Sequence, residues 1–180
     1  MNSQQDDNVA ATAQHGEQIS AAVPGLVRAF GQDSVGTLSE TSCTSSPDPE
    51  TASRNTRWEA STATSVPTQQ EARALADAVR QHAEAQGWQT QDREAAHPSL
   101  ERLYSAVRED LTLVMDADDG GEDVQVRLSV TSPCLEKPAG HTMARSELDP
   151  MYGSPDPMYP NDDRSKFTNG TPRPLPAPSE

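Results

Sequence analysis

The sequence predicts an α+β fold: an antiparallel sheet of three to five strands packed by one main helix, with an N-terminal helix beside it. Two stretches carry that prediction. From Leu111 to Cys134 the chain reads as a β-hairpin, with Leu111, Leu113 and Met115 alternating with Thr112 and Val114, and Val124, Val126, Leu128 and Val130 alternating with Gln125, Arg127 and Ser129. A period of two with apolar residues on one side marks strands with one buried face. From Thr68 to Gln86 the period changes to that of a helix, with Ala72, Leu75, Ala76, Val79 and Ala83 forming a narrow apolar stripe.

Taken in order, residues 1–7 are polar and expected to be disordered. Residues 8–31 form the N-terminal helical segment. In it Ile19, Val23, Leu26, Val27 and Phe30 lie at spacings of four, seven, eight and eleven, on one helical face. Asp6, Asp7 and Asn8 suit its start, and Gly31 suits the position after its end. Pro24-Gly25 interrupts the pattern, which predicts either a kink or a stop followed by a short second helix.

Residues 32–134 are the expected α+β core. Thr37-Leu38-Ser39 and the residues around Cys43 suit a short strand, and Ser45 to Pro49 a loop. Arg57 to Ser65 reads as a strand with Trp58, Ala60, Thr62 and Thr64 on one face. Thr68-Gln-Gln-Glu71 has the capping-box arrangement, in which each side chain satisfies the other's backbone amide. Gly87 fits a left-handed helix end, with Trp88 next to it placed to touch the last turn. Gln89 to Pro98 offers at most a short edge strand. Leu103 to Val107 extends the first strand of the hairpin, with a turn or bulge near Glu109-Asp110. Residues 135–180 hold nine of the 15 prolines and no periodic apolar pattern, which predicts a disordered Pro-rich tail.

Composition narrows the function classes. Hydrophobic content is 33% and aromatic content 4%, low for a chain of 180 residues. A net charge of −14 argues against nucleic acid or an anionic membrane surface as partner, since both would repel it. No apolar run approaches the roughly 18 residues that a membrane-spanning helix needs. No phosphate-binding glycine loop, zinc-protease or serine-hydrolase signature is present, and no cofactor is implied. His15, His82, His97 and His141 are scattered along the chain. The oligomeric state is open.

Three groups of residues invite a functional reading. Asp116, Asp118, Asp119, Glu122 and Asp123 crowd the hairpin turn and are weak candidates for Ca²⁺, although the acidic residue that would close an EF-hand loop is missing; a solvated Asp/Gly turn is the plainer reading. Trp58, Trp88 and Tyr104 either fill the core or line a groove between helix and sheet. In the tail, Asp149-Pro150-Met151-Tyr152 recurs seven residues later as Asp156-Pro157-Met158-Tyr159. Two such tetrapeptides on a flexible segment form a possible bivalent docking motif; the alternative is a local duplication without function.

Cys43 and Cys134 are the only cysteines. They are either two reduced thiols or a disulfide closing a loop of about ninety residues, worth on the order of 4 kcal/mol. Their spacing fits no metal motif. The helix ending in Gly87-Trp88, the hairpin closing on Ser132-Pro133-Cys134 and the earlier cysteine after an N-terminal helix together resemble the small secreted proteins and lipoproteins of actinobacterial cell envelopes. The resemblance covers about residues 8–134; it implies export and a Cys43–Cys134 disulfide and brings no activity with it. The start of the sequence lacks a signal peptide, and Glu40-Thr41-Ser42 before Cys43 follows no apolar run, so no lipobox is present. The expectation is an extracellular or cell-envelope location if the true start lies upstream of Met1, and a cytoplasmic one otherwise. The expected role is non-enzymatic, in protein interaction or structure. The alternative is a small-ligand or metal-binding module using a helix–sheet groove or the acidic hairpin turn.

Overall fold

The computed structural model describes residues 3–178. Residues 1 and 2, part of the expected disordered start, lie outside the described residues. The chain runs α1 (Ser3–Ala29), β1 (Thr37–Ser42), α2 (Pro49–Ala52), β2 (Asn55–Val66), α3 (Gln69–Ala85), β3 (Gln89–Thr90), β4 (Glu101–Arg108), β5 (Leu111–Asp118), β6 (Val124–Thr131) and β7 (Leu135–Glu136), followed by a 3₁₀ turn at Arg164–Lys166. The strands form one antiparallel seven-stranded sheet in the order β1-β2-β6-β5-β4-β3, with β7 paired to the start of β2. The α+β architecture is as expected, with more strands than the three to five predicted. The extra ones are β7, two residues long, and β4, which is a strand in its own right and turns into β5 through Glu109-Asp110; β3, also two residues long, is the short edge strand expected after α3.

Strand alternation sets the core. Leu38, Ala60, Val130, Leu113 and Ala106 are successive partners across five strands and form one buried apolar row. Thr62, Leu128, Met115 and Tyr104 form the next. Side chains of period two from β1, β2, β4, β5 and β6 reach the same face, and both long helices cover that face. The opposite face, with Ser61, Ala63, Ser65, Gln125, Arg127 and Ser129 at its centre, stays open to solvent with short or polar side chains.

α1 begins at Ser3, earlier than expected, and continues through Pro24 to Ala29 without a stop. Pro24 removes one intrahelical donor, but Ile19, Val23, Leu26 and Val27 on either side of it are all almost completely buried. Packing of that stripe outweighs the local cost of the proline. Both long helices end alike. Gly31 at φ +82° donates to Arg28 and Gln32 donates to Val27; Gly87 at φ +83° donates to Glu84 and Trp88 donates to Ala83. This is the paired C-terminal bonding that a left-handed glycine allows. At the start of α3, Thr68 accepts from the Glu71 amide at 3.2 Å as expected, but the Glu71 carboxylate accepts from the Thr68 hydroxyl at 2.9 Å, not from its amide.

At Gly16, α1 passes close against β2. A Cβ there would stand 2.5–2.8 Å from the Trp58 indole, which is itself buried. Gly16→Ala is therefore expected to lower stability by about 1–2 kcal/mol, overpacking outweighing the roughly 1 kcal/mol gained in helix propensity. A urea midpoint at or above that of the wild type would show that α1 sits farther from Trp58.

Cys43 and Cys134 are joined in a disulfide with Cα atoms 6.4 Å apart. It ties the chain just beyond β1 to the link between β6 and β7. Both cysteines are solvent-exposed, so the bond is a staple at the surface and not part of the core.

Residues 135–178, expected as a disordered tail, are laid down in a defined path. Lys137, Met143, Asp149, Ser154 and Tyr159 are buried, and residues 144–146 run along the outer edge of β1. Glu40 donates its amide to Ala144 at 2.7 Å and Ser146 donates to Leu38 at 2.9 Å. The physical reason is local. Asp, Ser and Pro here build a chain of turns closed by side-chain oxygens, and a few buried anchors attach those turns to the sheet edge.

Candidate functional site

The most unusual chemistry of the molecule lies where this segment meets β1. Glu40 falls on the same face of β1 as Leu38, because strand side chains alternate, and only 2% of its surface is exposed. A carboxylate so placed needs partners, and it has three. Thr56 donates its hydroxyl to Oε1, His141 Nε2 lies 2.6 Å from the same oxygen, and Ala144 donates its amide to Oε2 at 3.1 Å. The backbone carbonyl of Glu40 accepts from the Tyr159 hydroxyl at 2.7 Å. Nearby, the fully buried Lys137 donates its amine to the carbonyls of Leu135 (2.9 Å) and Thr56 (3.4 Å). Burial pushes that amine below its ordinary range, and the charge of Glu40 pulls it partly back. His141 also edges an open cleft of about 600 Å³ against Asp6, Val9, Ala10 and Ala13 of α1. The carboxylate is fully engaged, an arrangement suited to holding strand and segment together.

The two Asp-Pro-Met-Tyr repeats fold into the same turn. Asp149 Oδ1 accepts from the Met151 amide at 2.8 Å and Asp156 Oδ1 from the Met158 amide at 2.9 Å, while Tyr152 and Tyr159 each donate a backbone N–H to the aspartate carbonyl of their own repeat. Each tyrosine ring carries an arginine: Arg173 lies 5.6 Å from the ring centre of Tyr152, and Arg145 lies 3.8 Å from that of Tyr159. Beyond this the repeats diverge. Asp149 accepts the amide of Leu38 in β1 at 2.7 Å, whereas Asp156 pairs with Arg145, which also meets Asp162 at 3.4 Å. Tyr159 is buried, and Met151, at 46% exposure, is the large apolar side chain that faces solvent. The tetrapeptides are thus folded turns at the sheet edge, not free ligands on a flexible segment.

Burial raises the Tyr159 phenol above its ordinary value, against smaller opposite pulls from Ser39 and Arg145. A raised phenol contributes stability that is complete below the unfolded value near 10 and is lost as pH climbs through the folded value. Lys137, lowered on folding, acts in the opposite sense over the alkaline range. Comparison with Tyr159→Phe isolates the phenol. The wild type is expected to exceed the variant by about 1 kcal/mol at pH 8, and urea midpoints should converge above pH 10. A gap constant to pH 11.5 would disconnect the phenol from folding.

Of the three candidate aromatics, Trp58 fills the core beneath Gly16. Tyr104 is also buried, with Arg80 5.5 Å from its ring centre, at the margin of a shallow groove beside β4 that Arg93, Glu84 and Asp92 also edge. Trp88 borders a larger groove of about 570 Å³ between the ends of α1 and α3. Arg108 lies 5.1 Å from the Trp88 ring centre and donates to the Gln86 carbonyl at 3.3 Å. His82 closes the contact between the helices, since a Cβ on Gly25 would stand 2.5 Å from its Nε2. Burial there lowers the imidazole from its ordinary value of 6.5.

The acidic hairpin turn does not gather its carboxylates. Asp116 is paired with Arg102, and Asp118 accepts the Gly120 amide at 3.0 Å. Among the described residues no group of three or more His, Cys, Asp or Glu side chains is placed to hold a metal ion. The site residues that sequence reasoning missed are Glu40, His141, Lys137 and Arg145. For Glu40 a signal was present: extending the β1 alternation by one step from Leu38 puts a carboxylate on the core face. No family model, curated protein or solved structure matches the chain.

Proposed function

We propose that this chain is a secreted or cell-envelope protein whose role is to bind another protein. The observation that carries the reading is the solvent-exposed Cys43–Cys134 disulfide. An accessible disulfide persists in oxidising compartments and is reduced in the cytosol. The resemblance to small actinobacterial envelope proteins supports the same location. Three further features suit interaction over catalysis. The titratable groups of the buried centre are engaged with one another, the open face of the sheet is broad and carries short polar side chains, and the strong negative charge favours selective, electrostatically guided partners.

The test is the intact mass of the native protein after thiol alkylation, in separated cytosolic, membrane and extracellular fractions. The expected result is a protein outside the cytosol with no alkylated thiol. Two alkylated cysteines on a cytosolic chain would overturn the reading.

A further inference from the structure

Both long helices cover one face of the sheet, and the other face lies open across β2, β6 and β5. Strand pairing sorts the side chains of that open face into rows that run across the strands. Val114, Ser129 and Ser61 form a middle row, with Asp116, Arg127 and Ala63 on one side of it and Thr112, Thr131 and Glu59 on the other. Along β2 the next residues outward are Ser65 beyond Ala63 and Arg57 beyond Glu59. Strand side chains alternate, so all of these stand on the uncovered face.

The middle row is short, and the flanking rows are matched long against short. Glu59 mirrors Ala63 and Arg57 mirrors Ser65 on β2, Arg127 mirrors Thr131 on β6, and Asp116 mirrors Thr112 on β5. A two-fold axis laid along the middle row turns each flanking row onto the opposite row of a second copy. Every long side chain then meets a short one. Glu59 comes to lie over Ala63 of the second copy, one strand away from Arg127, which is exposed and in no ion pair among the described residues. The pair that Glu59 already makes with Arg57 at 3.2 Å is partly exposed and adds little of its own. One patch that fits itself in this way is the mark of an isologous interface.

Charge agrees with shape. The chain holds 28 acidic residues against 14 basic ones, whereas the open face sets Arg57, Arg102 and Arg127 against Glu59, Asp116 and Asp118. Two copies repel each other through most of their surface and are spared that repulsion here. Four strands about 4.8 Å apart and eight residues long give about 500 Å² per copy, or about 1,000 Å² in all, the lower bound of a specific interface.

We propose that the open face of the sheet is a homodimer surface, on which two copies pack sheet to sheet about a two-fold axis along the Val114–Ser129–Ser61 row. This rests on the reading of the chain as an interaction protein and names a second copy as the occupant of its open face. The small area makes the dimer reversible, with a micromolar Kd.

Light scattering on the full chain between about 1 and 200 µM reads the oligomeric state, and a monomer–dimer equilibrium is the expected result. Arg127→Glu sets like charges against Glu59 of the second copy and should raise the dimer Kd about tenfold or more; Glu59→Arg should do the same. The double variant Glu59→Arg/Arg127→Glu exchanges the two signs and should return Kd to within about threefold of the wild type. Circular dichroism checks that each variant keeps the sheet. Ser129→Lys, which places a charge on the axis against its own copy, serves where a single variant unfolds. A chain that stays monomeric to about 200 µM would overturn the inference. So would a dimer that Arg127→Glu and Ser129→Lys leave intact, since another surface would then hold it, or a double variant that does not regain the dimer its single variants lose. A monomer recovered outside the cytosol with its disulfide intact would refute the dimer alone and leave the export reading standing.

Discussion

Glu40→Ala is expected to cost about 3–5 kcal/mol. The Glu40 carboxylate holds the Thr56 hydroxyl, the His141 ring and the Ala144 amide at once, beside the buried amine of Lys137. Truncation to alanine leaves three partners without their acceptor and the buried Lys137 amine without its neighbouring charge. That is the costly way to break such a centre, because partners remain while the group that satisfied them is gone. Glu40→Gln keeps the shape and one acceptor and should lose less, about 1–3 kcal/mol. Urea denaturation measures both. Limited proteolysis adds a local readout, since residues 144–163 should be cleaved first in the alanine variant. An alanine variant that unfolds at the wild-type midpoint, with the segment still protected, would show that Glu40 does not hold it.

Reduction of the Cys43–Cys134 disulfide is expected to cost about 4 kcal/mol, because the bond closes a loop with a sequence separation of 91. The cross-link acts mainly by restricting the unfolded chain. The native sheet should therefore survive in reducing buffer, with a lower denaturation midpoint and little change in circular dichroism. The double variant Cys43→Ser/Cys134→Ser should match the reduced protein. Identical midpoints with and without a phosphine reductant would mean that the bond is absent or adds nothing. Since both cysteines are exposed, mild reductant should suffice without prior unfolding.

These two features differ in how far they could be read in advance. The β5–β6 hairpin and α3 were legible because each is set by a local period. Leu111 to Ala117 and Val124 to Val130 alternate, Ala72 to Ala83 repeats at helical spacing, and both patterns reappear in the burial of the same residues. The pairing of the only two cysteines was legible through a resemblance, with the alternative of free thiols left open by the residues themselves. The path of the last quarter of the chain was not legible. Its order depends on partners far away in sequence: Asp149 meets Leu38 across 111 residues, and Tyr159 meets Glu40 across 119. Nothing periodic announces such anchors, and proline and aspartate weigh toward disorder in any compositional reading. The repeat itself held the clue. Aspartate followed by proline is turn chemistry, and two copies seven residues apart are two turns of one path. The close approach at Gly16 was equally invisible, because it depends on the three-dimensional meeting of α1 with Trp58.

The strip of chain along β1 has a consequence for the order of events in synthesis. The ladder from β1 to β6 can close once Thr131 is available, but the outer edge of β1 is capped only when residues 144–146 and their anchors up to Asp162 have followed. At about 5–20 residues per second, that interval of some thirty residues lasts a few seconds. During it an edge strand with unpaired backbone groups is open to any other extended chain. Completion of the molecule is thus timed by its last quarter, and a nascent chain stalled before that point would carry an adhesive edge that the finished protein hides.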